Sequence, residues 1–174
     1  EDLDADGDLD ALLAQNSFSP QRETGHMDGG LSQVLLNDGS GQFIPVEPIV
    51  SGVSVPGDSK SAAVNDLNGD GRPDLILGLN NDAPVTYLAR EGERSLVVTL
   101  RAGQGNVNAV GAQVTIGRQV REQQTGGGYA ARSSSVLYFS QPSENVTAVV
   151  RWPDGKTSEH AVEGGAEEVI FTQP

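Results

Sequence analysis

Asp66-Leu67-Asn68-Gly69-Asp70-Gly71-Arg72-Pro73-Asp74 runs straight into the apolar stretch Leu75-Ile76-Leu77. Carboxylate or amide oxygens stand at loop positions 1, 3, 5 and 9 (Asp66, Asn68, Asp70, Asp74), with Gly71 at position 6 for a sharp turn. A hard cation that takes six to eight oxygens requires this spacing, so the stretch reads as a Ca²⁺ loop. The side chains of Asp66, Asn68, Asp70 and Asp74 are its expected ligands, with the Arg72 main-chain carbonyl at position 7 and water completing the shell.

The same pattern opens the chain as Asp2-Leu3-Asp4-Ala5-Asp6-Gly7-Asp8-Leu9-Asp10. Residues 2 to 16 and 66 to 80 align without gaps at an offset of 64, with seven identities in fifteen positions. The expected ligands of this first loop are Asp2, Asp4, Asp6 and Asp10, with the Asp8 carbonyl. Four carboxylates against three favour the first loop by charge. The strand expected before Asp2 is missing, however, so the reading expects a frayed loop there and rests more weight on the second.

Three other readings compete. An EF-hand needs a bidentate Glu at position 12 between helices, whereas that position is Leu13 or Leu77 and the flanks are strand-like. A nonapeptide β-roll repeats about every nine residues. A solvated turn rich in Asx residues accounts for one copy, but not for the same oxygen spacing twice.

The rest of the chain reads as short strands between turns. Ala11 to Ala14 and Leu75 to Leu79 are apolar runs of strand length. The first copy then inserts a polar loop from Ser17 to Gly30, containing His26 and Met27, before a hairpin over 32 to 46 that turns at Asn37-Asp38-Gly39-Ser40-Gly41. Residues 47 to 60 form a Gly, Pro and Ser-rich connection, and Ser61 to Val64 is a strand feeding the second loop. Each unit is thus expected as strand, metal loop, strand, strand, strand. Arg90-Glu91-Gly92-Glu93 marks the expected boundary. Beyond it come strands at 96 to 100, 112 to 116, a Ser-rich one ending at Phe139, a hairpin from Val146 to Val162 around Pro153-Asp154-Gly155, and a last strand at 169 to 171.

Composition agrees with that division. Of the 174 residues, 1 to 93 hold 17 acids against 4 bases and 94 to 174 hold 7 of each, so the first half carries the whole net charge of -13. An acidic surface disfavours nucleic acid and anionic membranes, which require Lys and Arg against phosphate. No run approaches about 18 apolar residues, so no membrane insertion is expected. The absence of cysteine rules out disulfides, thiolate zinc sites and cysteine nucleophiles. Acidic calcium loops without thiols fit an extracellular, cell-surface or periplasmic setting, where affinities of roughly 10⁻⁴ to 10⁻³ M suffice.

Signals for catalysis are weak. His26 and His160 are the only histidines and fall on either side of the boundary, no Gly-x-Ser-x-Gly elbow occurs, and Gly126 to Gly128 is not followed by Lys-Ser or Lys-Thr. Asn145-Val146-Thr147 fits a glycosylation sequon.

The calcium loops, with Leu36-Asn37-Asp38-Gly39-Ser40-Gly41-Gln42-Phe43 between them, resemble FG-GAP/VCBS repeats, the blades of integrin-α-like β-propellers. The segments Asn106 to Val114, Gly127-Gly128-Tyr129 and Val149 to Gly155 resemble the ASPIC/UnbV domain, which follows such repeats in the cartilage-acidic-protein-like family. The family's Asn-Arg, Tyr-x-Ser-Gln and Phe-Gly-Leu-Gly stand here as Asn106-Val107, Tyr129-Ala130-Ala131-Arg132 and Phe139-Ser140-Gln141-Pro142.

The reading therefore expects an all-β chain. Residues 1–93 are FG-GAP-type repeats with two Ca loops, a propeller-blade fragment of about one and a half blades where a ring needs about four to eight. Residues 94–174 are a small sandwich- or barrel-like β domain. The resemblance implies a non-enzymatic, calcium-stabilised extracellular module of adhesion type, from the C-terminal part of a larger propeller protein, with a protein or glycan as ligand. The alternative is a carbohydrate-binding or carbohydrate-processing β protein in which Trp152 or Tyr129 stacks on sugar and Asp154 and Glu159 form an acid pair.

Overall fold

A computed structural model describes residues 1–18, 21–27 and 29–174. Thirteen strands lie in four sheets, with one single-turn helix among the described residues. The Ser17 to Gly30 insertion includes 19, 20 and 28, which lie outside the described residues. In the part described, Ser17 and Met27 form an isolated bridge and the Phe18 ring stacks on His26 with centroids 4.4 Å apart.

The first half folds as two three-stranded antiparallel sheets of the same order. One is β1 (Ala11–Leu13), β2 (Gln33–Asn37) and β3 (Phe43–Pro45); the other is β4 (Ser59–Asn65), β5 (Asp74–Leu79) and β6 (Val85–Tyr87). Each calcium-type loop leads directly into the first or middle strand of its sheet. Val34, Val53, Val55, Val64, Leu75 and Leu77 are buried together, with Leu3, Leu12 and Tyr87 packed against them. Full burial of each such aliphatic side chain stabilises by about 1.5–3 kcal/mol. Between the sheets lies an apolar cleft of ≈ 270 Å³, lined in part by Leu36, Val46 and Leu88.

The first unit has the three strands read after its loop, and the second has one before and two after, one fewer than expected. Past Tyr87 the chain crosses to β7, which pairs in the C-terminal domain instead of adding to the β4-β5-β6 sheet. The 47–60 connection also holds α1 (Pro48–Ser51), where Pro48 opens the turn and Gly52, at φ 70°, closes it by donating its N–H to the Pro48 carbonyl. Proline at the start and glycine just past the end are the standard punctuation of a helix turn.

The second half is two sheets around one core. β7 (Ser95–Arg101) is flanked by β10 (Val136–Ser140), antiparallel, and β13 (Glu168–Thr172), parallel. The other sheet runs in the order β12 (Thr157–Val162), β11 (Val146–Arg151), β8 (Gln113–Ile116), β9 (Gln119–Glu122). Alternation along β7 and β8 puts Leu96, Val98 and Leu100 opposite Val114 and Ile116, and Phe139, Val150, Trp152 and Phe171 complete the core. Among the described residues the sheets stay open and no closed barrel is formed. Trp152 is fully buried at the end of the β11–β12 hairpin, and its Nε1 donates to Ser158 Oγ at 2.8 Å. It is thus a core side chain, with no face free for a sugar.

Strand β9 is absent from the sequence reading because its alternation is inverted. Val120, its one aliphatic residue, is 43% exposed, while Arg121 is buried.

Candidate metal centre

The offset of 64 residues persists as a repeat of hydrogen bonds. Asp2 Oδ2 accepts the Gly7 N–H at 2.9 Å, and Asp66 Oδ2 the Gly71 N–H at 2.8 Å. Asp4 Oδ1 takes the Asp6 N–H as Asn68 Oδ1 takes that of Asp70. Asp6 and Asp70 do the same for the N–H groups of Asp8 and Arg72. Asp10 and Asp74, both buried, each accept twice: from Leu3 and Asn37 in one loop, and from Leu67 and Ala89 in the other. Position 9 therefore ties the start of its loop to a later stretch of its own unit, Asn37 at the end of β2 in one and Ala89 just past β6 in the other. Gly7 and Gly71 turn at φ 101° and 81°, in the region that glycine enters without strain.

The loops differ in what remains open. Carboxylate oxygens of Asp2, Asp4 and Asp10 lie within 4.8 Å of one another, the one such acidic cluster among the described residues. Asp6 and Asp8 are not part of it, and neither are Asp66, Asp70 and Asp74. Asp8 instead lies against the Asn37 to Gly41 turn, where a Cβ on Gly39 would stand 2.8 Å from its Oδ2. Asp2 is fully buried, yet its Oδ1 has no hydrogen-bond donor. At the matching place Asp66 Oδ1 accepts two N–H groups, from Gly69 at 2.7 Å and Asp70 at 3.2 Å. The first loop has Ala5 at φ 63° where the second has Gly69 at φ 74°.

Burial pushes the Asp2 carboxyl up to about 6, against the opposing pull of the Gly7 N–H and of Arg121, with Asp6 and Asp10 adding to the rise. Asp4 is raised as well, by burial and then by Asp10 and Asp6. A buried carboxylate oxygen without a partner is costly. Oxygen-only donors of this kind suit a hard cation such as Ca²⁺, so the residues present fit the ion that the spacing implies.

The C-terminal domain grips both loops at positions 1 and 6. Arg121 Nη2 stands 3.5 Å from Asp2 Oδ2 and donates to the Gly7 carbonyl at 3.2 Å. Its Nε donates to the Tyr138 carbonyl at 3.1 Å, and its guanidinium lies 5.4 Å from the centroid of the Phe139 ring. In the second loop the Asp66 N–H donates to the Tyr138 hydroxyl at 2.9 Å, and the Ser95 N–H to the Gly71 carbonyl at 2.8 Å. Burial pulls Arg121 below the ordinary arginine value and raises the Tyr138 phenol. Spacing in the sequence gives no sign of Arg121, Tyr138 or Ser95, since each acts across the domain boundary.

Other candidates fall outside any centre of this kind. The Asp154 carboxylate accepts the Lys156 N–H of its own turn, which holds its proton affinity below the usual range. His160 stacks on Phe171 and lies 2.7 Å from Ser158 Oγ, a network at the edge of the core beneath Trp152. Asn145 is exposed just before β11, and Tyr129 is 78% exposed.

Among the described residues, no helix is long and apolar enough to cross a membrane. A search of curated proteins gave no match. Two family models do match: an FG-GAP-like repeat over residues 2–77, and ASPIC and UnbV over 102–174. Between them they take in both loops with their strands up to β5, and the C-terminal sheets apart from β7. The chain is therefore an FG-GAP-like repeat segment followed by an ASPIC/UnbV domain.

Proposed function

We propose that the chain is a non-enzymatic, calcium-stabilised binding module, part of a larger propeller-type protein that works outside the cell, at its surface or in the periplasm. The observation that carries the calcium reading is the buried, unpartnered Oδ1 of Asp2 beside Asp4 and Asp10. Asp2, Asp4 and Asp10 would hold the ion, with the Asp6 side chain and the Asp8 main-chain carbonyl completing the set. The ion supplies positive charge to a loop that otherwise crowds carboxylates, and so fixes the turn into β1. Its role is structural.

A binding role, with a protein or glycan as ligand, rests on kinship with FG-GAP proteins, which are commonly extracellular or surface proteins. The carbohydrate-binding or carbohydrate-processing alternative has less support, because Trp152 is buried and Asp154 is engaged in its own turn. Thermal unfolding with CaCl₂ and with a chelator tests the calcium reading. At about a hundredfold excess over Kd, bound ion adds about 2.7 kcal/mol, or roughly 5–10 °C in a chain of this size. Identical melting curves would overturn it.

A further inference from the structure

We infer that Arg121 of the ASPIC/UnbV domain is a positioning residue for calcium at the first FG-GAP loop, so that ion binding and the docking of the two domains are coupled. The inference rests on the calcium reading above and adds a residue more than a hundred positions away.

The two oxygens of Asp2 face different partners. Oδ2 takes the Gly7 N–H and the Arg121 guanidinium, while Oδ1 remains without a donor beside Asp4 and Asp10. A cation on Oδ1 therefore does not compete with Arg121 for an atom. The carboxylate bridges them, as outer partners commonly orient metal ligands. The guanidinium is itself fixed. It donates to the carbonyls of Gly7, Tyr138 and Val120, and both Arg121 and Asp2 are buried. Gly7 also rests on β9 and β10, since a Cβ there would meet Gln119 and Ser140 at 3.4 Å, and those two side chains are hydrogen-bonded at 2.8 Å. An ion that orders the loop thereby orders the surface on which β9 and β10 sit.

Outer partners of this kind are worth about 10–100-fold in metal affinity. The test is a CaCl₂ titration by calorimetry on the full chain, with hydrogen exchange of the 119–122 amides recorded with and without the ion. Wild type should bind, and calcium should slow exchange in β9. Arg121→Met should bind 10–100-fold more weakly and lose that protection. Arg121→Lys keeps the charge but cannot reach Asp2, Gly7 and Tyr138 together, so it should lose affinity in the same direction and by less; it serves alone if Arg121→Met does not fold. Wild-type affinity in the foldable variant, or β9 exchange indifferent to bound calcium, overturns the coupling and leaves the calcium reading intact. No calcium binding by wild type overturns both.

Discussion

The two FG-GAP loops share a backbone and differ in how their charge is balanced. Asp2/Asp66, Asp6/Asp70 and Asp10/Asp74 share the bonds to the N–H groups of Gly7/Gly71, Asp8/Arg72 and Leu3/Leu67, so the repeat carries that part of the geometry over, while the two further N–H groups on Asp66 have no counterpart at Asp2. At position 7, however, the second loop has Arg72, whose Nη1 lies 3.5 Å from Asp70, while the first has Asp8. The second loop carries its own cation; the first draws on Arg121 from the other domain and still leaves Asp2 Oδ1 unpartnered. Equal spacing thus does not mean equal demand for an ion.

Removing the open carboxylate tests this contrast with the largest effect. Asp2→Asn should abolish most of the calcium-dependent rise in melting temperature, about 2.7 kcal/mol at a hundredfold excess of ion over Kd. Asp70→Ala, read by the same melts, should lower that rise by a smaller amount.

Protons should separate the loops next. The Asp2 carboxyl is raised to about 6 in the folded chain, against about 3.9 when unfolded. In chelator, the stability that this proton contributes is full below pH ~4 and is lost as pH rises through about 6. Calcium must displace the same proton, so its affinity should fall by up to about tenfold per pH unit below 6. At a concentration that is a hundredfold excess over Kd at pH 7, the gap between melts in chelator and in calcium should therefore shrink by about half, from about 2.7 to about 1.4 kcal/mol, on going to pH 5. A constant gap would remove Asp2 from the site.

Smaller changes act on one loop each. Arg72 engages both Asp70 oxygens, unlike Arg121, which leaves Asp2 Oδ1 open; Arg72→Ala therefore frees an oxygen for an ion, and since a partly exposed pair is worth about 1 kcal/mol or less, the calcium response of that loop should rise modestly in calorimetry. Ala5→Gly relieves a left-handed residue and should stabilise the chain by about 1 kcal/mol, measured by urea unfolding, with no gain from the same change in reverse at Gly69.

Much of the fold is legible from local chemistry. The apolar alternation at Ala112, Val114 and Ile116, the Pro153-Asp154-Gly155 turn and the twin loops each specify their own structure, and the strands stand where these signals place them. The candidate site is legible only in part. Asp2, Asp4 and Asp10 follow from spacing, but that their carboxylates cluster while those of Asp66, Asp70 and Asp74 do not is outside what spacing tells. The difference goes with burial of Asp2 under a strand whose inward residue is an arginine, and neither burial nor a partner so far along the chain is written in the loop. The expected fraying at Asp2 also overlooks Asp10, whose carboxylate holds the Leu3 N–H at 2.7 Å and anchors the loop from its far end.

On the calcium reading, the first loop is the principal site. Calorimetric titration of CaCl₂ into wild type, Asp2→Asn and Asp66→Asn tests it most directly. Asp2→Asn should lose the tightest binding event and Asp66→Asn should retain it. Loss of that event in Asp66→Asn alone, with Asp2→Asn unchanged, would contradict it.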